Sequence, residues 1–596
     1  MPRDRYGDQP EEGWTPNKPR PFATPFDQIS VDEYGYTDDV PSYLEAPWSL
    51  QEIAMFGLSD AIRSKPEWWI KRKDAAIRAK WKREAMEQGG AVVTAGLRED
   101  GEEEGTAPEE SGTTRLTEGM VEYVLDELEW HEKQLDDPNG IQASCFDKIF
   151  TSDTIVPSEL RNSLIAAATA LEADPPFGQP DWHPGSNEQV LDLVHPSLFP
   201  LRYGVTPVRS EGEDGKTKVE AAPEARNAEH SRSKKFQWLP SDVQVNENGE
   251  ATFSSYINNL HPDHHAPFYP VLSSLLTRFL PLFERVLSSL QRPAPRRIEI
   301  NYDVASSWYG AEYEGDEDAD DYWDKYEEFM EKRELRLPEP EKFDMGKKEE
   351  WAKKEVEDGP AFPLKGRKLQ VITKIASIHL TPEKPSYGGG VWHVEGMQNE
   401  EIVASGIYYF DQENITESQL AFRGTFSDDL LPYEQSDDRG VKGVFGIVGD
   451  GPCIQYYNSL TTSKGRSICF PNIYQHRVSP FSLADPSKPG YRKILVFFLV
   501  DPLKTDAGEV ISTAQVPYQQ REWVREEIEK TGEWEGRNLV GELPREMWDK
   551  ILDDTDGLMS FDEAKKVREE LMHERKFLVK ENNDKVFERS FSLCEH

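Results

Sequence analysis

Cysteine is scarce in this chain, with four among 596 residues. Cys145, Cys453, Cys469 and Cys594 stand far apart and show no Cys-x-x-Cys spacing, which excludes a zinc knuckle and a disulfide framework and points to a reducing compartment. Long apolar runs are also missing. Nothing approaches the roughly 18 residues that cross a bilayer, and the opening Met1-Pro2-Arg3-Asp4-Arg5 lacks the apolar stretch of a secretion signal. Cytosol or nucleus is therefore the expected location. Positive charge is short too: 69 Lys and Arg face 110 Asp and Glu, a formal net charge of −41. Such a chain repels nucleic acid and anionic membrane surfaces, so neither is an expected partner. A small-molecule or protein substrate of unknown identity remains.

The length exceeds one compact core, and two to four structural units are expected. Residues 1–45, rich in Pro, Asp and Gly, read as a mobile tail. Residues 46–208 read as a helical N-terminal region, including one amphipathic helix over 67–87 with a basic face, an acidic break at 99–113, and helices near 116–137 and 157–172. A solvated linker follows at 209–234. Residues 235–311 carry a helix over 266–291 and a strand over Arg297 to Tyr302 that lead into the core. The segment 312–360 is an acidic insertion, a solvated excursion or a docking face for a basic partner.

From 361 to 503 the pattern changes to short β runs broken by Gly, Pro and Asp: 369–380, 391–397, 402–410, 418–424, 442–449, 453–457, 466–471, 474–478 and 491–500. The expected fold class is α+β, a double-stranded β-helix (jelly-roll) core between helical regions, the last of them 504–596.

Chemistry concentrates in Val391-Trp392-His393-Val394-Glu395. Strand periodicity of two puts His393 and Glu395 on one face. Glycines 388–390 before them allow a close backbone approach. A second motif, Gly465 through Pro471 to His476, reads as strand, turn and returning strand that delivers His476 inward, and its Gly-x5-Pro-then-His outline resembles the second motif of cupins. Two imidazoles and one carboxylate on one face of an ion leave adjacent positions open, the arrangement of non-haem Fe(II) oxygenases. His393, Glu395 and His476 are thus the expected metal ligands. Alternation places Arg492 with Ile494, Val496 and Phe498 and turns Lys493 the other way, so Arg492 is a candidate fork for the carboxylate of an oxo-acid. Trp392, Tyr408 and Tyr409 are candidate pocket-lining residues. His261-Pro262-Asp263-His264-His265 reads as a capping loop, and His183 and His195 as isolated structural residues.

The order His-x-Glu, distal His, then Arg on the next strand resembles the Fe(II)/2-oxoglutarate-dependent dioxygenase superfamily. That resemblance implies Fe(II) and 2-oxoglutarate as cofactors, Arg492 as the oxo-acid anchor, and hydroxylation of an organic substrate with release of succinate. Glu395 stands where the carboxylate is more often Asp, and Arg492-Lys493-Ile494 where plant-type members have Arg-x-Ser. Asp181 to Ser186, Val190 to Pro200, Tyr256 to Pro262 and Trp392 to Ser418 are also similar to a large fungal family catalogued only as a domain of unknown function. Two other readings are a cupin-like metal dioxygenase or isomerase that needs no 2-oxoglutarate, and a non-catalytic metal-containing interaction protein.

Overall fold

The computed structural model describes residues 44–96, 108–175, 177–211, 217–225, 231–305, 321–357, 362–434, 437–531 and 544–590, with a few shorter stretches besides. The tail expected at 1–45 lies mostly outside the described residues, as do the acidic residues 316–320 and Cys594. The architecture is mixed α and β with antiparallel sheets. In chain order the elements that matter here are α1 (Leu50–Arg63), α2 (Ala75–Gln88), α3 (Glu118–Lys133), β1 (Gln142–Ala143), β2 (Phe150–Ser152), α4 (Ser158–Ala173), β3 (Val190–Val194), β4 (Ser241–Val245), β5 (Ala251–Phe253) and α5 (Phe268–Gln291). They continue with β6 (Lys368–Leu380), β7 (Ile402–Glu413), β8 (Gln419–Thr425), β9 (Ile454–Thr461), β10 (Ser467–Pro471), β11 (Gln475–Val478), β12 (Gly490–Val500) and α6 (Phe561–Asn582).

A nine-stranded sheet runs β5-β4-β6-β12-β7-β10-β2-β1, with β3 also paired to β6. A second sheet runs β9-β8-β11, and a bridge between His393 and His476 lengthens it at the β11 edge. Among the described residues neither sheet closes into a barrel. The central strands are apolar on both faces because both faces are covered. Leu495, Phe497 and Leu499 of β12 pack with Phe279 and Phe283 of α5 and Leu164 of α4, while Val496 and Phe498 join Leu420, Phe422 and Phe470 between the two sheets. Alternation within one strand thus separates a helix-facing core from an inter-sheet core.

Close packing of α5 on β7 depends on one missing side chain. A Cβ at Gly406 would stand 2.7 Å from a ring carbon of Phe279 and 3.0 Å from one of Phe283. Gly406→Ala is therefore expected to destabilise by about 1 to 3 kcal/mol through overpacking. Chemical unfolding should report that loss with metal content unchanged.

Several expectations are corrected. The helix expected over 67–87 is broken: a short turn at Trp68–Lys71 precedes α2, whose Asp74 cap accepts from the N–H groups of Ala76 and Ile77. Two cations of its basic face are taken up within the fold, Arg78 pairing with Glu122 and Asp126 and Lys82 with Glu118 and Glu122 of α3, while Lys80 and Arg83 stay exposed. The acidic break holds a strand, Glu109–Thr114, paired with Gly90–Ala95, and the linker at 209–234 takes part in a hairpin of Pro207–Glu211 with Thr217–Ala221. Residues 297–302 form no strand, because Ile298 and Ile300 dock into the helical cluster around Met120 and Val124. Residues 442–449 are not a strand either: Asp437 caps the helix Asp438–Phe445 and Gly446, at a left-handed φ of 67°, ends it. The run expected over 391–397 forms only a bridge at His393, because beyond it the Glu395 backbone is held by the Asn472 side chain instead of a neighbouring strand.

Glu52 of α1 is 1 % exposed and accepts the Arg297 backbone N–H at 2.6 Å. Burial raises its pKa to about 7, against the opposing charges of Arg296 and Arg297. A raised pKa means that the folded chain keeps a proton the unfolded chain has lost, so stability falls as pH rises from about 4.5 to about 7. Glu52→Gln should leave the unfolding midpoint unchanged near pH 4.5 and raise it at pH 8, by at most on the order of 3 kcal/mol. An equal midpoint shift at both pH values would rule out that titration.

Candidate metal centre

The site begins with a constraint on backbone. Gly389 has a φ of +87°, and a Cβ there would meet the Val478 carbonyl oxygen at 2.7 Å. Only glycine lets this segment lie against the end of β11. The Gly390 N–H then donates to that same carbonyl at 3.0 Å, and His393 and His476 exchange backbone hydrogen bonds. Asn472, in the turn between β10 and β11, completes the clamp. Its Oδ1 accepts the Glu395 N–H at 2.9 Å, while its Nδ2 donates to the carbonyls of Glu395 and Ile402 at 2.9 and 3.0 Å. Asn472 was not among the expected site residues. Its only signal in the sequence is its place in the Pro-Asn turn just before His476.

The expected ligands come together. Glu395 Oε1 lies 3.6 Å from His393 Nε2 and 3.4 Å from His476 Nε2, and the two imidazole centroids are 4.4 Å apart. Donor atoms about 2.1 Å from one ion and at right angles stand about 3 Å apart, so modest tightening would close this set around a metal. His393 Nδ1–H donates to the Val391 carbonyl at 2.8 Å, which leaves the lone pair on Nε2, the atom that faces Glu395. The Nδ1 of His476 is buried and has no partner among the described residues. Burial raises the Glu395 carboxyl, but hydrogen bonds and charge from both histidines outweigh it and hold its pKa well below the usual range. Burial lowers His393 and Glu395 more than compensates, so its pKa is raised. At His476 burial and the neighbouring His393 prevail, and its pKa is lowered.

Arg492 lies at the far end of the same interior. It is 1 % exposed, on the Val496 face of β12, whereas Lys493 turns to the helix side and pairs with Glu172 at 2.7 Å. Its Nη1 donates to the hydroxyls of Ser418 and Thr462, at 2.5 and 3.5 Å, and its guanidinium sits over the rings of Phe481 and Tyr409. Nε has no partner, and no carboxylate lies within ion-pair distance among the described residues. Burial lowers its pKa, and only the Tyr409 and Tyr387 hydroxyls oppose that. Ser418 directly precedes β8, four residues before Phe422, whose register partner is His476.

Of the three aromatic candidates, Tyr409 faces this interior. Tyr408 points to the helix side, with Phe279 at 6.5 Å. Trp392 packs in a separate cluster against Tyr456, its indole N–H donating to Glu109 at 2.9 Å.

Two other clusters have metal-ligand residue types. His183 and His195, expected to be isolated, meet at Asp192: His183 Nδ1–H donates to Asp192 Oδ2 at 2.8 Å. His195 Nδ1, however, accepts the Ser197 N–H at 3.2 Å. That places the ring proton on Nε2 and leaves no lone pair for a metal. Arg568, bonded twice to Asp181 and 3.8 Å from Asp192, supplies the positive charge instead. His261 Nδ1 likewise accepts from the N–H groups of Asp263 and His264, the capping role expected for that loop.

A family model described as "Protein of unknown function (DUF4246)" matches residues 118–527, and a companion model of its N-terminal domain matches 8–84. The chain belongs to this family. No curated protein matches the sequence. Solved structures with some likeness include IDO from Bacillus thuringiensis, at 11 % identity and a TM-score of 0.15, the match covering 26 % of this chain and 53 % of that one. The Fe(II)/(alpha)ketoglutarate-dependent dioxygenase TqaL matches at 9 % identity and 0.20, covering 44 % and 65 %. A bsmA homolog from Methylobium petroleophilum PM1 matches at 9 % and 0.22, covering 57 % and 84 %. The chain thus spans about half to two thirds of the first two. Likeness at this level carries no functional information. Among the described residues no helix is long and apolar enough to cross a membrane, and Cys145, Cys453 and Cys469 are free and buried.

Proposed function

We propose that this member of the DUF4246 family is a non-haem Fe(II)/2-oxoglutarate-dependent dioxygenase that hydroxylates an organic substrate. The observation that carries the reading is Arg492, a guanidinium buried beside Tyr409 of the inter-sheet core and without an ion-pair partner among the described residues. A buried charge without a partner is costly, and the distal carboxylate of 2-oxoglutarate would satisfy it through a two-pronged hydrogen bond. Fe(II) bound at the cluster would supply oxygen activation, coupled to oxidative decarboxylation of 2-oxoglutarate to succinate and carbon dioxide.

The chain's own residues then have distinct tasks. His393 Nε2, His476 Nε2 and Glu395 Oε1 hold the metal, and Val391 and Asn472 fix the orientation of that set. Ser418 and Thr462 aim the guanidinium. Phe422, Phe470 and Tyr409 form an apolar wall that limits water. A double-stranded β-helix over 361–503 is the architecture that fits. Its support is the strand order β6-β12-β7-β10 opposite β11, β8 and β9, with the His393 bridge at the β11 edge and a shared core between them. In this reading 46–208 and 504–596 flank that core, and β1, β2 and β3 of the first region extend its larger sheet.

The test is oxygen-dependent conversion of 2-oxoglutarate to succinate by the Fe(II)-loaded full chain, first alone and then with pooled cell metabolites and proteins. Slow uncoupled turnover is expected without substrate, with stimulation by the pool. Metal binding with no succinate under either condition would favour a cupin-like enzyme that needs no oxo-acid.

A further inference from the structure

Away from the metal centre, a cavity of about 150 Å³ lies between α1, α3, the 141–150 segment and the loop that carries Arg297. Trp48, Phe56, Trp130, Phe146 and Trp351 contribute its aromatic lining. Phe146 forms the wall toward the inter-sheet core. It stacks on Tyr457 at 3.8 Å and meets Tyr474, two residues before His476, edge-on.

Two polar side chains on the lining are nine-tenths or more buried, and each carries an atom with no hydrogen-bond partner among the described residues, Glu52 Oε2 and Arg297 Nη1, while His131 Nε2 faces Glu127 Oε2 at 3.8 Å. Buried polar atoms are normally satisfied, and two exceptions on one cavity call for something that satisfies them together. The charges around them are largely paired: Arg285 lies 3.6 Å from Asp137 and Lys348 4.0 Å from Glu127. Glu127 takes the Arg297 guanidinium through Nε and Nη2 at 3.2 and 2.8 Å, and Lys148 pairs with Asp147 and Glu45. A charged guest would upset that balance. Aromatic walls favour a flat guest, and an interior of this volume takes a single six-membered ring. Glu52 offers an acceptor and Arg297 a donor, and the two residues are joined by the Arg297 N–H bond to Glu52 Oε1.

We infer that this cavity is a binding site for an uncharged planar heterocycle of one ring that carries an N–H beside a carbonyl, the N–H donating to Glu52 and the carbonyl accepting from Arg297. The site is separate from the metal centre and does not depend on the dioxygenase reading.

The probe is 2-pyridone, a one-ring lactam, titrated into the full chain by calorimetry and by saturation-transfer NMR. Saturable binding of one molecule per chain is expected. At pH 8, where Glu52 is mostly ionised, N-methyl-2-pyridone, which keeps the ring and the carbonyl but lacks the donor, should bind at least about tenfold more weakly, the worth of one hydrogen bond to a charged group. Glu52→Gln keeps the acceptor for the Arg297 N–H but exchanges the free oxygen for an NH2, and should weaken 2-pyridone by a similar factor in a protein whose circular dichroism and unfolding midpoint show it folded. Absence of saturable binding to the wild-type chain would overturn the proposal and mark the cavity as a water site. Equal affinity for the N-methyl compound, or undiminished binding by folded Glu52→Gln, would overturn it as well.

Discussion

Replacing His476 with alanine should reduce bound iron in the purified chain from about one ion per molecule to a background level. Its side chain is 4 % exposed, and its Nε2 stands 3.4 Å from Glu395 Oε1, so no other imidazole can take its place without moving the strand. A set of two neutral nitrogens and one carboxylate has no ligand to spare. His393→Ala should behave the same way, although His393 is more exposed and its loss disturbs packing less. The clamp gives a graded control. Asn472→Ala keeps all three ligands but frees the Glu395 backbone and the turn before His476, and should weaken iron by about 10- to 100-fold without abolishing it. Metal analysis after dialysis against a weak chelator, with circular dichroism on each variant, separates these outcomes.

Arg492→Met should produce two effects of opposite sign. Affinity for 2-oxoglutarate should fall by about 30-fold or more, because truncating one partner of a buried charge pair costs about 2 to 5 kcal/mol. Stability of the chain without co-substrate should hold or rise, by up to roughly 4 kcal/mol, because an unpaired guanidinium is exchanged for an apolar side chain among Tyr409, Phe481 and Val496. An arginine kept only to hold Ser418 and Thr462 would give the reverse, a less stable protein with unaltered co-substrate binding. Anaerobic calorimetry with Fe(II) present and a denaturant midpoint measured without it distinguish the two.

Strand alternation carried much of this site into the sequence. Period two is a local property, and it set Arg492 apart from Lys493, which the structure pairs with Glu172, whereas His393 and Glu395 meet from a segment that forms only a bridge at His393. The turn at Pro471 was readable for the same reason. Long-range pairing was not. β3 and β4 join β6 across well over a hundred residues, and nothing in their own composition names that partner. His183 and His195 looked isolated because Asp192 and Arg568 are brought to them by the sheet and by α6. Ile298 and Ile300 had the alternation of a strand, but their apolar side chains found a helical cluster instead of a sheet edge. The acid before the 438–445 helix and the glycine after it were legible caps that a run of valines and glycines obscured. That Arg492 meets no carboxylate among the described residues is a property of the folded interior, and no sequence pattern could have reported it.

The most direct test of the metal and oxo-acid assignment is an anaerobic difference spectrum of the full chain on adding 2-oxoglutarate to the Fe(II)-loaded protein. A weak visible charge-transfer band is expected from chelation of the oxo-acid at the His393-Glu395-His476 site. That band should vanish in His393→Ala and require far more 2-oxoglutarate in Arg492→Met. A protein that binds iron stoichiometrically yet shows no band, or a His393→Ala variant that keeps both its iron and the band, would contradict the assignment.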